Sequence, residues 1–201
     1  AAATLLAETL PNAAYPGNVL VVAGSGGNGG DGLYAGAELA RAGHHVEAIK
    51  VGTRIHERAA AAFEHAGGQF VTKLGDYDLV IDGIIGLGGS KGLSDDLAAL
   101  LARCAGTPIL AIDVPSGINP DTGVPMGAHI TATATVTFGA LRYAHAVSPA
   151  CGEVVVGDIG IAPQGSHVQV YRSVGTGRVW PEGLHPIPRI PAIESLEPGP
   201  E

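Results

Sequence analysis

The chain is short of aromatic and charged residues: phenylalanine, tryptophan and tyrosine make up 4% of its 201 positions, and Asp, Glu, Lys and Arg together 15%. Lysine and arginine number only 11 against 19 acids, a net charge of −8. That balance excludes non-specific nucleic-acid binding, because phosphates demand a basic stripe. No apolar run approaches the roughly 20 residues that cross a bilayer, so no membrane partner is expected. No lysine or arginine precedes Arg41, so a secretory signal with a basic leading region is not expected either. Two cysteines, Cys104 and Cys151, lie 47 positions apart with no CxxC and no histidine at metal spacing. They read as inert thiols in a reducing compartment, and the expected location is cytoplasmic.

Glycine, by contrast, is abundant, with 31 residues, about twice the usual ~7%. These glycines follow no three-residue period, which excludes collagen, and 46% of the chain is hydrophobic, which excludes general disorder. They must serve backbone geometry: turns, and close approach of the chain to a ligand or to another backbone. Six fall between Gly24 and Gly32 and five between Gly83 and Gly92.

Short β-branched runs alternate with helix-compatible segments, the signature of a parallel sheet covered by helices. Strands are expected at 18–23, 45–51, 69–72, 78–82, 108–112, 131–138 and 153–156. Helices are expected at 33–42, ended by Gly43, at 54–66, and at 94–104, where Ser94, Asp95 and Asp96 are amino-terminal signals. The fold class is α/β, a Rossmann-like three-layer sandwich with a mostly parallel central sheet. The domain spans 17–162, after a short segment 1–16. Residues 163–201 form a Pro-rich, largely disordered tail. Seven of the fourteen prolines lie in the last forty residues, and no packed structure is expected from Pro181 onward.

The strongest local signal is Gly24-Ser25-Gly26-Gly27-Asn28-Gly29-Gly30-Asp31-Gly32, between a buried strand and a helix, where backbone N–H groups can face an anion. A ribose-reading acid should follow about 20 residues later in an ordinary dinucleotide site, but Lys50 and Arg54 stand there instead. No Lys-Ser or Lys-Thr pair follows the loop, which excludes a Walker-type phosphate loop. Asp31 opens the expected helix and can cap it or face a cation or a ribose hydroxyl. Asp82 and Asp113 each end an expected parallel strand, at the edge where open α/β sheets bind ligands. Asn28, Asp82, Asp113 and Ser116 can therefore converge, and oxygen donors of this kind suit a hard cation. A second loop, Gly86-Leu87-Gly88-Gly89-Ser90-Lys91-Gly92, offers amides and an ammonium to a phosphate. Among the eight histidines only His129 and His145 are placed to reach such a cleft.

Five ordered motifs give the chain a resemblance to the YjeF N-terminal domain family, the NAD(P)HX epimerases. They are Gly24 to Gly32, Ile81-Asp82-Gly83-Ile84-Ile85-Gly86-Leu87-Gly88, Ile112-Asp113-Val114-Pro115-Ser116-Gly117, Thr135-Val136-Thr137-Phe138-Gly139-Ala140, and the stretch Gly152 to Gly160. The resemblance implies that Gly27, Asn28, Gly29, Gly30, Asp31, the segment Gly86-Leu87-Gly88-Gly89-Ser90-Lys91-Gly92 and Asp113 contact a hydrated nicotinamide nucleotide. It implies potassium as cofactor, held by Asn28, Asp82 and Ser116. It also implies an isomerase that interconverts the R and S hydrates of NADH and NADPH and supplies the S form to a dehydratase. That dehydratase is a partner that many bacterial proteins carry fused to this domain. Asp113 and Asp82 are the expected catalytic groups.

The chain departs from the family pattern in having Gly27 before Asn28 where paired asparagines are usual, Lys91 for arginine and Gly92 for proline. Gly52 stands where animal members have a lysine, with Lys50 and Arg54 nearby. Only 17 residues precede the first strand, so the family's amino-terminal helices, which contribute to homodimers, are expected to be shortened. The rival reading is a non-catalytic nucleotide-binding scaffold or protein-interaction module of the same fold. A phosphate-binding enzyme of unrelated chemistry is a third.

Overall fold

A computed structural model describes residues 17–157, Ile159 and the backbone of 184–187. Its first strand, β1 (Asn18–Ala23), is exposed only at Asn18 and buried at the five residues that follow. Such a run without alternation is what a parallel strand covered on both faces requires. The strands β2 (His45–Lys50), β3 (Gln69–Phe70), β4 (Leu79–Gly83), β5 (Ile109–Ile112), β6 (Ala134–Phe138) and β7 (Glu153–Gly157) complete a parallel set in the order β3-β2-β1-β4-β5-β6-β7. An eighth strand, β8 (Leu184–Ile187), pairs antiparallel with β7. It lies inside the segment expected to lack packed structure from Pro181 onward. The rest of that tail and the expected amino-terminal shortening at 1–16 fall outside the described residues.

Successive side chains of each strand enter opposite layers. Val19, Val21 and Ala23 meet Leu33, Ala37 and Leu39 of α1 (Gly27–Arg41) and Ala59 and Phe63 of α2 (Glu57–His65). On the other face Leu20, Val22 and Val80 join Leu101 and Cys104, at the end of α3 (Asp95–Ala102). A small third cluster gathers Val114, Ile118, Cys151 and Val154 beneath Ala144 of the short α4 (Tyr143–Val147), which the sequence reading did not anticipate. The sheet is thus the middle of three layers, as expected.

The expected boundary most displaced is that of α1. It begins at Gly27, not Leu33, so most of the glycine loop is the first turn and a half of a helix. Glycine disfavours helix by about 1 kcal/mol per residue, yet here close packing needs it. A Cβ on Gly29 would lie 1.9 Å from the Gly24 carbonyl oxygen, and one on Gly24 would lie 1.8 Å from that of Ile84. Asp31 consequently sits in the second turn, and the first turn holds no acidic residue.

Registers fix where these features meet. Ala23 stands opposite Gly83, Asp82 opposite Ala111, and Ile112 opposite Val136. The carboxyl ends of β1, β4, β5 and β6 therefore open onto one edge. The strand order reverses between β1 and β4, the place where open α/β sheets leave a crevice.

Candidate active site

A cleft of about 550 Å³ occupies this edge. One wall is the start of α1, from Ser25 to Asn28 together with Asp31; the other is Ile84 to Gly88, with Asp113 and Phe138 closing the end. No side chain caps the amino terminus of α1, whereas His56 caps α2 and Ser94 caps α3. Its first N–H groups are thereby left for an anion.

Asp113 is, among the described residues, the one non-glycine with positive φ, at 71°. That conformation is strained, by about 1–3 kcal/mol, and it is held by four contacts. Its N–H donates to the Val136 carbonyl at 2.7 Å, and its own carbonyl lies 2.6 Å from His145 Nε2. Its carboxylate accepts from the Thr137 hydroxyl at 3.2 Å and from the Leu87 N–H at 3.3 Å. The last contact ties the acid to the second glycine loop. Asn28 makes the matching tie from α1: its amide donates to the Ile112 carbonyl at 3.1 Å and accepts from the Gly86 N–H at 3.2 Å.

Asp82 takes a different place. It is buried, at 1% exposure, under the loops and does not line the cleft. Both its oxygens are engaged: Oδ2 accepts from the Ser116 N–H at 2.8 Å, and Oδ1 from the Ser116 hydroxyl at 2.6 Å and the Ile84 N–H at 3.2 Å. Ser116 Oγ in turn accepts from the Ile85 N–H at 3.0 Å. Burial raises the Asp82 pKa, and the bonds from Ser116 and Ile84 oppose the rise. No basic side chain among the described residues pairs with it. A carboxylate buried without a counter-charge, beside a serine hydroxyl and the Ile85 carbonyl, offers oxygen donors of the kind that suit a hard cation, while Asn28 lies in the layer above with its amide engaged by Ile112 and Gly86.

Asp31 shares the cleft with Asp113. Its pKa is raised, first by partial burial and then by the facing Asp113 carboxylate, with His56 pulling the other way. Thus the sequence-expected group separates into two levels, with Asn28, Asp31 and Asp113 on the cleft surface and Asp82 and Ser116 beneath. Gly27 and the stretch Gly86 to Gly88 line the cleft. Gly89, Ser90, Lys91 and Gly92 do not. Gly92 instead packs against the 126–128 turn, donating to the Met126 carbonyl at 3.2 Å, and a Cβ there would come within 2.9 Å of the Ala128 oxygen. Gly29 and Gly30 are buried in α1, turned to Gly24 and His56. Lys50, Gly52 and Arg54 lie outside the cleft lining, and His129 is exposed, bound to the Gly127 carbonyl at 3.0 Å.

Sequence reasoning missed Thr137 and Phe138 as site residues, although both fall in a motif it singled out. The alternation of β6 was the available signal, since Thr135 and Thr137 share the face opposite Val136. A smaller hollow of about 380 Å³ lies at the opposite, amino edge, around His44, Glu47 and Tyr77. Burial and the bond to Glu47 push the Tyr77 hydroxyl up to about 12, so it holds its proton at neutral pH.

Comparison with known proteins gives concordant matches. The family model described as "YjeF-related protein N-terminus" matches residues 1–144. A Corynebacterium glutamicum protein named bifunctional NAD(P)H-hydrate repair enzyme Nnr is 47% identical over 175 residues, which cover 74% of this chain and 30% of that protein. A Mycobacterium leprae protein of the same name is 40% identical, over 83% of this chain and 36% of its own. The chain therefore spans about a third of the length of these relatives. A Clavibacter michiganensis protein named NAD(P)H-hydrate epimerase is 38% identical, covering 82% of each chain. Among solved structures, the yeast protein ynu0 (YNL200c) superimposes with a TM-score of 0.65 at 18% identity, over 83% of this chain and 84% of that one, a likeness of fold.

Proposed function

This chain belongs to the YjeF-related protein N-terminus family, and we propose on that premise that it is an isomerase, epimerising the R and S hydrates of NADH and NADPH. The observation that carries the reading is the Asp113 carboxylate, fixed at the cleft between the bare amino terminus of α1 and the Gly86 to Gly88 loop. Its relatives' names include NAD(P)H-hydrate epimerase and a bifunctional repair enzyme, which supports both the substrate class and a dehydratase as the functional partner.

The carbon to be inverted bears a hydroxyl and a ring nitrogen. It inverts by reversible cleavage of C–O, which needs a proton delivered to the departing hydroxyl and stabilisation of the iminium cation left behind, or of C–N, which needs a proton delivered to nitrogen and one taken from the hydroxyl as it becomes an aldehyde; each proton returns on closure. Asp31, whose pKa is raised, is suited to hold the proton, and Asp113 faces it as the second carboxyl. Two acids at one end would repel a pyrophosphate, so the ring lies at this end and the pyrophosphate at the uncapped N–H groups of α1. Asp82 supports this arrangement from below, through Ser116 and the Ile84–Ile85 backbone. Asn28, Asp82 and Ser116 would hold a potassium ion, whose chemistry there is to neutralise the buried carboxylate and stiffen the loops.

The test is R-to-S conversion followed with excess S-specific dehydratase, for the parent and for Asp113→Asn. The parent should convert well above the spontaneous rate and the variant near it. Equal rates for the two would sink the assignment. Conversion by the parent at the spontaneous rate, with hydrate binding retained, would favour the scaffold reading. Homodimer formation belongs to the same proposal and is read by light scattering.

A further inference from the structure

We propose that His145 is a positioning residue for Asp113, locking the backbone of the cleft acid in its left-handed conformation from the side away from substrate. The inference rests on the epimerase reading only for its activity arm.

The hydrogen bonds fix the imidazole's tautomer. Nδ1 lies 2.9 Å from the Arg142 backbone nitrogen, which can only donate, so Nδ1 accepts. Nε2 then carries the proton and donates to the Asp113 carbonyl at 2.6 Å. The residue is 4% exposed and sits in α4, whose start is closed by the same Arg142–His145 exchange. Buried, singly protonated and committed at both nitrogens, His145 has no proton to exchange with a ligand. Its whole polar capacity goes to joining α4 to the peptide that Asp113 bends.

That peptide needs the joint. Asp113 leaves β5 with φ of 71°, and its carbonyl would otherwise have no partner in the sheet ladder, because β5 ends at Ile112. A lysine or arginine in this place would add charge, and an aliphatic side chain would leave a buried carbonyl unsatisfied. The side chain of Asp113 is steered separately, by Thr137 and Leu87. His145 therefore sets the origin from which the carboxylate is aimed, and the other two set its direction.

The test compares His145→Gln, His145→Asn and His145→Phe. Glutamine reaches as far as Nε2 and can donate to the Asp113 carbonyl. Asparagine reaches only the Nδ1 position and keeps the Arg142 contact alone, while phenylalanine fills the volume and makes neither bond. The expected result is a kcat lowered about tenfold or more in the Asn and Phe variants with KM within about twofold, and largely restored in the Gln variant. Carbon-13 NMR of the Asp113 carboxyl gives the second readout, independent of any activity: its chemical shift should change in the Asn and Phe variants and stay near the parent's in Gln. Equal kcat for Asn and Gln, or an Asp113 signal unchanged in Asn, would overturn the proposal. If the phenylalanine variant does not fold, the Asn and Gln pair decides. A parent without epimerase activity would instead refute the functional reading, and the NMR comparison would still decide the positioning role.

Discussion

Ser116 grips Asp82 with both its backbone N–H and its hydroxyl, at 2.8 and 2.6 Å, in the buried layer beneath the cleft. Removing one partner of a buried pair costs more than the pair itself contributes. Ser116→Ala should therefore lower stability by about 2 kcal/mol in denaturant unfolding, because Asp82 Oδ1 and the Ile85 N–H both lose their closest side-chain partner.

The raised pKa of Asp82 predicts an ion effect as well. A carboxyl raised in the folded state contributes stability fully present below its ordinary 3.8, which is lost as pH rises through the folded value. At neutral pH a bound cation would offset that loss. Potassium chloride should raise the parent's Tm above its value in choline chloride at equal ionic strength. Asp82→Asn should abolish the difference; an equal rise in both proteins would exclude Asp82 from the ion site.

Two glycine substitutions three positions apart should separate packing from function. Gly24→Ala drives a Cβ into the Ile84 carbonyl and should cost about 3 kcal/mol or more. At Gly27 nothing lies within 4 Å, so Gly27→Ala should leave stability unchanged or raise it by up to about 1 kcal/mol. Because Gly27 lines the cleft, the same change should weaken nucleotide-hydrate binding, read by calorimetry.

Gly86→Ala should act on the site itself. Its Cβ would meet Asp113 Oδ2 at 2.8 Å and the Asn28 amide group at 2.9 Å, two side chains able to shift. Stability should fall little, whereas kcat/KM for the hydrate should fall about tenfold or more.

The pH dependence of stability should carry a signature of His145. Burial holds its pKa below the ordinary 6.5, with the Asp113 carbonyl and carboxylate only partly opposing. A depressed group contributes stability present above 6.5 and lost as pH falls through the folded value. Asp31 and Asp82, both raised, work in the opposite sense. The informative quantity is thus the Tm difference between the parent and His145→Gln, which should shrink as pH falls from 7 toward 5.

The parallel strands were legible because burial on both faces leaves a continuous apolar run, as at Val19 to Ala23. Ends of strands were legible too, and with them Asp82 and Asp113. What local pattern could not reveal is depth: Asp82 and Asp113 close neighbouring strands alike, yet one is roofed by Ile84 and Ser116 while the other faces the cleft. The start of α1 was misplaced because tertiary contact at Gly24 and Gly29 overrides glycine's poor helix propensity. Five-residue α4 is too short for periodicity to show, and the contacts of Thr137 and His145 with Asp113 span 24 and 32 positions. The short β8 carries Pro186, which ordinarily argues against a strand but is tolerated at a sheet's edge.

The glycine-built start of α1 makes the positions along that wall of the cleft unequal as targets for natural variation. At Gly26 and Gly27 that wall presents main-chain atoms beside the side chains of Ser25, Asn28 and Asp31, and a side chain added there would meet open space, whereas Gly24 and Gly29 beneath cannot change without breaking the helix packing. Discrimination between ligands of this family can therefore be written at positions 26 and 27, bare here, and opposite them at Leu87, which is 38% exposed and can change size without disturbing the sheet.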